Sequence, residues 1–190
     1  MGKIVISDNV SLDGVVQDPS GDEGSRVGGW VGHIADHKDL AQAALDEALG
    51  ADAWLLGRRS YEFFGSRWQS RTGALADRLN SLPKYVVSSS VHDPAWNNTT
   101  VLTGDVVSEV SKLTEETAGE IIVPASFQLV RTLIEHDLVD EVRLMVFPVV
   151  LGDGERLFGR TSDSKRMRLV GIRTVDDEIA SLTYQLVRGS

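Results

Sequence analysis

At 190 residues, with 42% hydrophobic and 25% charged side chains, the chain can bury a sizeable core without staples and has the make-up of an ordinary globular protein. Nineteen basic against 28 acidic residues leave a formal charge of −9, which repels nucleic acid and anionic lipid. The absence of cysteine excludes disulfides, thiolate zinc sites and a cysteine nucleophile.

No apolar run approaches the ~18 residues a membrane span needs. Met1-Gly2-Lys3-Ile4-Val5-Ile6 goes straight into a strand-like run, without the long apolar core of a signal peptide. A cytoplasmic protein with one domain over residues 1–190 is expected. Lys3 to Ser7 reads as the first strand and Asp8 to Gly14 as a loop, with Asp13-Gly14 as its turn signal. The stretch from Pro19 to Gly32 has glycine at 21, 24, 28, 29 and 32 and no apolar period, which predicts a long mobile loop of the functional kind. Trp30 near its end is a large ring flanked by glycine, suited to covering a flat ligand at a pocket mouth. From Asp36 or Asp39 as cap, Leu40, Ala41, Ala44, Leu45, Ala48 and Leu49 share one helical face, and Gly50 ends the helix.

The next stretch, Ala53 to Phe64, carries the strongest local signal. Ala53-Trp54-Leu55-Leu56 predicts a strand covered on both faces; Gly57 permits a close turn, and Ser60 can cap the helix begun by Tyr61 to Phe64. Arg58 and Arg59 stand beside that helix N-terminus, where free N–H groups and a positive dipole end favour phosphate. A solvated corner is the plainer explanation of the same two arginines.

Further on, Leu75, Ala76 and Leu79 mark a short helix after Thr72, and Pro83 opens the strand Lys84 to Val87 before Ser88-Ser89-Ser90. Thr99 to Thr103 is the next strand, and Asp105 caps a helix whose stripe is Val106, Val110 and Leu113. Glu120 to Val123 runs through Pro124-Ala125-Ser126 into a helix with Leu129, Val130, Leu133 and Ile134 inward. This alternation predicts a mainly parallel sheet covered on both faces. After Asp140 the pattern changes: Val142 to Leu151 is a strand broken at Pro148, and Met167–Val175 with Ile179–Val187 predicts an antiparallel hairpin around Asp176-Asp177. The surplus of apolar residues between Val142 and Leu151 points to a symmetric homodimer through the C-terminal strands.

The chain has no G-x-S-x-G elbow, no Walker loop and no G-x-G-x-x-G. His33 and His37 are four apart and could share a helical face with Asp36 as metal ligands do, but the other two histidines are far away in sequence, so a solvated helix start is expected rather than a metal. What remains is a row of small and hydroxyl residues at strand ends, at Gly57 to Ser60, Ser88 to Ser90, Thr103-Gly104 and Ala125-Ser126, where α/β sheets bind ligands. Turn and cap chemistry accounts for each of these separately, and less well for the set.

The order of Ser11-Leu12-Asp13-Gly14, Leu56 to Glu62, Pro83 to Ser88, Leu102 to Asp105 and Leu138 to Gly152 resembles the dihydrofolate reductase-like family, closest to the reductase domain of the bifunctional riboflavin-biosynthesis deaminase-reductase. The resemblance implies a three-layer α/β/α domain with a mixed sheet, a homodimer, and bound NADPH. It implies that Gly57, Arg58, Arg59 and Ser60, with Tyr61 beside them, hold the pyrophosphate and 2′-phosphate. Ser88 and Ser89 would then lie along the adenosine, and Ala125, Ser126, Phe127 and Gln128 would meet the pyrophosphate and nicotinamide half. Asp13 and Gly14 fall on the loop that borders nicotinamide and substrate, with Asp13 as candidate proton relay and Trp30 as stacking partner. Two departures stand out: Ala125 replaces a glycine usual in such proteins, and Ser89 stands where many have arginine. The expected function is an NADPH-dependent reductase of a small heterocycle, either a ribosyl aminopyrimidine phosphate or a pterin. The alternative is a non-catalytic nucleotide-binding dimer whose site has decayed around Pro124-Ala125. The deaminase activity of the bifunctional relatives is excluded, because its zinc site needs cysteines.

Overall fold

Ile4, Val5 and Ile6 are all fully buried, which requires cover on both faces of their strand. The computed structural model describes residues 1–33 and 38–188 and shows that cover. Eight strands form one sheet in the order β4-β3-β2-β5-β1-β6-β8-β7. They are β1 (Lys3–Ser11), β2 (Ala51–Gly57), β3 (Lys84–Val87), β4 (Thr99–Leu102), β5 (Glu120–Pro124), β6 (Glu141–Phe147), β7 (Met167–Val175) and β8 (Ile179–Leu186). The first six run parallel, and β8 and β7 pair antiparallel at one edge. Helices α1 (Lys38–Gly50), α2 (Arg58–Trp68) and α3 (Ala74–Ser81) cover one face, where Val5, Trp54, Leu56 and Val86 pack with Ala48, Tyr61 and Leu79. Helices α4 (Val106–Glu116) and α5 (Phe127–Glu135) cover the other, against Ile4, Ile6, Leu55 and Val123. The result is the three-layer α/β/α arrangement with a mixed sheet that the resemblance implies, with a C-terminal antiparallel hairpin.

The connections create a switch point. From β1 the chain crosses to β2 on one side, while from β5 it crosses to β6 on the other, so the two neighbouring strands send their helices to opposite faces. The β1–β5 ladder ends at Ser7↔Pro124, whereas the β1–β6 ladder continues to Ser11↔Phe147. Past Ser7, β1 therefore has an open edge toward β5, and the sheet is notched there.

Several elements differ from the sequence expectation. The first strand runs to Ser11, because pairing with β6 holds the polar residues Asp8 and Asn9 that alone suggest a loop. Helix α1 is rotated: Ala43 and Ala48 are buried and Glu47 half-buried, while Ala41, Ala44 and Leu49 are exposed. The cause is Glu47, which turns inward to polar partners on the sheet. Residue 36, one of the two expected caps, lies outside the described residues. The first-turn amides of Asp39 and Leu40 instead donate to the Asp176 carboxylate at 2.9 and 3.0 Å. Asp176 and Asp177 both take left-handed φ values, 48° and 58°, and turn the β7–β8 hairpin as expected. The glycine-rich stretch is not featureless. It folds around buried Asp18, whose carboxylate accepts from Glu23 N and Ser25 N and whose carbonyl accepts from Gly21 N and Gly29 N.

Because Asp176 caps α1 from a distant hairpin, Asp176→Ala should lower stability by about 1 kcal/mol. A lower urea midpoint with an unchanged slope is the expected result, and an unchanged midpoint would show that the cap contributes nothing.

Candidate functional site

A cleft of about 1140 Å³ runs over the carboxyl ends of the parallel strands and across the notch. Its centre is where α2 and α5 begin. Helix α2 starts at Arg58 with Gly57 in extended conformation before it, one turn earlier than Ser60 capping would give, and no side chain caps it. Ser60 instead accepts a hydrogen bond from Ser126 N at 3.0 Å. Ser126 Oγ in turn accepts from Gly57 N at 3.1 Å and donates to Pro124 O at 3.2 Å. These bonds hold the two helix N-termini side by side. Ala125 and Ser126 reach this geometry with left-handed φ values of 50° and 60°, a region that favours glycine and strains a residue with a Cβ. The first-turn N–H groups of each helix have no intrahelical acceptor, so both dipole ends point at one region of the cleft.

Two cations guard this region. Arg58 pairs with Glu62 at 3.3 Å and Arg59 with Glu23 at 3.6 Å, both in exposed contacts that an incoming anion can replace at little loss. Ser88 and Ser89 lie beyond them on the same cleft wall. Ser88 Oγ accepts from Ser90 N and Val91 N, fixing the turn after β3.

The other half of the cleft is lined by residues that sequence alone left unmarked. On the α1 face, Ser7 Oγ donates to Glu47 Oε2 at 2.8 Å. Arg143 meets Glu120 and Glu141 at 2.7 Å each and Glu47 at 3.6 Å. Burial raises the Glu47 pKa, while Ser7 and Arg143 oppose the rise. Burial disfavours the Arg143 charge, but the bonds to Glu120 and Glu141 outweigh it and raise that pKa too. On the opposite face of β1, Asp8 also lines the cleft, and burial pushes its carboxyl up to about 8 against one backbone hydrogen bond from Asn9. Sequence carried no signal for these groups, because their positions depend on the pairing of β1 with β6 and on the bonds that Ser7 and Arg143 make to Glu47.

Of the expected cofactor residues, Gly57 to Ser60, Ser88, Ser89 and Ala125 to Gln128 line this one cleft. Tyr61 does not: its ring is buried beside Trp96, and its hydroxyl accepts from Trp96 N at 3.0 Å. Three further expectations need correction. Trp30 is 1% exposed, packs edge-on to Phe147 at 5.3 Å and donates from Nε1 to Gln17 O, so it is a core residue rather than a lid over ligand. Asp13 lies off the cleft lining and ties two loops together, accepting from Ser11 Oγ, Leu151 N and Gly152 N. The Ser11 bond, with the two amides, holds its pKa down to about 2, so it stands as a carboxylate committed to these bonds. Gly14 also lies off the lining and serves the turn with φ 81°. His37 lies outside the described residues, and among these no three His, Asp or Glu side chains group as metal ligands.

The family model described as RibD C-terminal domain matches residues 3–181. The chain belongs to that family. A relative, the uncharacterized protein YyaP of Bacillus subtilis, is 25% identical over 187 residues, covering 96% of this chain and 94% of YyaP. Among solved structures, a putative riboflavin biosynthesis protein from Shewanella sp. PV-4 superposes with a TM-score of 0.77 at 21% identity, covering 98% of this chain and 99% of that one. Dihydrofolate reductase from Enterococcus faecalis, solved with NADP(H), superposes with a TM-score of 0.63 at 12% identity, covering 97% and 96%. At such identities the superpositions establish the fold of this RibD-family chain, and its chemistry has to be argued from its own cleft.

The left-handed Ala125 gives a direct check on that cleft's geometry. Ala125→Gly should raise stability by up to about 1 kcal/mol, since relief of the Cβ clash exceeds the extra entropy glycine loses on folding. A lowered melting temperature would mean that the Ala125 backbone is unstrained.

Proposed function

We propose that the chain is an NADPH-dependent reductase of a small heterocyclic substrate, acting in the cytoplasm. The observation that carries this reading is the pair of abutting helix N-termini, with Arg58 and Arg59 beside them, at a switch point of the sheet. Membership of the RibD C-terminal domain family supports a reductase-type activity.

The residues fit the cofactor by charge and reach. Free amides of α2 and α5 suit a pyrophosphate, and the two exposed guanidiniums suit a dianionic 2′-phosphate, for which a planar fork is better than an ammonium. Ser88 and Ser89 provide the wall for the adenosine end, and Ala125 to Gln128 lead toward the notch. When bound, the cofactor supplies a hydride; the protein supplies position and electrostatics. The flat heterocycle lies at the notch end of the cleft, where Ser7, Glu47 and Arg143 on the α1 face and Asp8 on the other offer donors and carboxyl groups. A ribosyl aminopyrimidine phosphate, as in riboflavin biosynthesis, and a pterin are the two substrate classes this reading carries. No helix among the described residues is long and apolar enough to cross a membrane.

One observation favours the alternative of a non-catalytic nucleotide-binding dimer: a Cβ at left-handed Ala125 stands where close backbone approach to cofactor is needed. Arg58→Ala separates the readings. It should weaken NADPH binding about tenfold or more and NADH binding far less, measured by fluorescence titration, since a charge-assisted contact contributes roughly 1.5 to 3 kcal/mol. Equal loss for both would mean that the arginines read only pyrophosphate, and no binding of either by the unmutated protein would favour the decayed site.

We also propose a symmetric homodimer through the C-terminal half of the sheet. Val142 and Phe147 are buried within the chain, so the surplus expected in β6 is partly used internally. Of the stretch from Val142 to Leu151, Val150 stays exposed, and further apolar surface lies on β7, where Leu169, Val170 and Ile172 are exposed, Ile172 to 71%. Light scattering at micromolar concentration should give twice the 20.7 kDa chain mass, and a mass of one chain would contradict the dimer.

A further inference from the structure

Asp8 is the first residue of β1 beyond its ladder with β5, so it sits at the open edge of the notch. Its partner across β6 is Leu144, and the strand alternation puts its side chain on the face of Ile6 and Val10, against the apolar layer under α5. Asp8 is half-buried and lines the cleft, while its Oδ2 is enclosed and has no hydrogen-bond partner. A buried polar atom without a partner is uncommon enough to require a reason.

The charged groups on the surrounding elements do not answer to it. Glu47 of α1, Glu120 of β5, and Glu141 and Arg143 of β6 are engaged with one another on the opposite face of the sheet. Arg131 of α5 gives one terminal nitrogen to Glu155 and the Arg156 carbonyl, with its Nε buried and unpartnered, Glu135 holds Ser162, and Asp13 past the end of β1 is held by its loop amides. An ionised Asp8 would thus be desolvated with no cation, and burial pushes its carboxyl up to about 8.

We infer that the Asp8 side chain is a neutral hydrogen-bond donor in the floor of the cleft, serving the carbonyl oxygen or ring nitrogen of a flat heterocycle bound at the notch. The inference rests on the reading of the cleft as a cofactor and heterocycle site. Two heterocycles present that chemistry, the nicotinamide with its carboxamide and the ring to be reduced. An anionic group at the same place would be rejected once Asp8 ionised.

Carboxyl 13C NMR of the whole protein tests this, with Asp8 assigned through its backbone and titrated from pH 5 to 10. Free Asp8 should titrate near 8, and a bound acceptor should move its titration upward by one pH unit or more, because ligand favours the protonated form. Movement by NADPH assigns the donor to the nicotinamide carboxamide; movement only by folate added with NADP+ assigns it to the substrate ring. In the first case NADPH affinity is flat from about pH 7, above the second pKa of ~6 of its own 2′-phosphate, to pH 8 and falls about tenfold per unit above that until the bound form ionises, while Asp8→Asn, whose amide keeps a donor, stays flat above pH 7. A carboxyl that titrates near 4, or one moved by neither ligand, overturns the inference. If NADPH binds nowhere on the protein, the cofactor reading fails and the folate arm alone decides the role of Asp8.

Discussion

The two serines that join the starts of α2 and α5 set the geometry on which the cleft depends. Ser126 donates its amide to Ser60 and accepts the Gly57 amide, so a strand end and two helix starts from distant parts of the chain become one surface. Without that join the two dipole ends would be separate helix corners, each with the ordinary weak preference for an anion. With it, they act on the same volume. The left-handed backbone at Ala125 and Ser126 is the local cost of bringing β5 round tightly enough, and strain of this kind is concentrated where structure serves a ligand.

The cleft is electrostatically divided along its length. The end where α2 and α5 begin has two exposed guanidiniums on a chain of formal charge −9, so an anion finds local attraction inside a field that turns most anions away. The notch end has carboxyls on either face of β1 that burial pushes in the same direction. Glu47 is compensated by Ser7 and Arg143; Asp8 has no such partner. A ligand with an anionic tail and an uncharged ring fits that division in one orientation only.

The fold was legible because its elements follow local rules. The stripe of Leu129, Val130, Leu133 and Ile134 is buried as its spacing predicts, Asp105 caps α4 by accepting from Ser108 N, and the Asp176-Asp177 hairpin forms in place. The gathering of Gly57 to Ser60 and Ala125 to Gln128 into one cleft was legible for the same reason, since they stand at strand ends that topology brings together. What sequence missed depended on tertiary partners. Asp8 and Asn9 look like a loop until β6 pairs with them, and Glu47 looks like a solvated residue until Ser7 and Arg143 draw it inward. Trp30 and Asp13 failed in the opposite sense: glycine neighbours suggested exposure and a loop carboxylate suggested chemistry, whereas Phe147 buries the ring and two loops consume the carboxylate. Tyr61 was misplaced because position beside a binding turn does not fix side-chain direction.

The most direct measurement is a crystal structure of the protein soaked with millimolar NADPH. The account predicts the pyrophosphate between the N-termini of α2 and α5, the 2′-phosphate at Arg58 or Arg59, and the nicotinamide at the notch beside Asp8. A dinucleotide bound elsewhere, or a cleft that stays empty at that concentration, would contradict it.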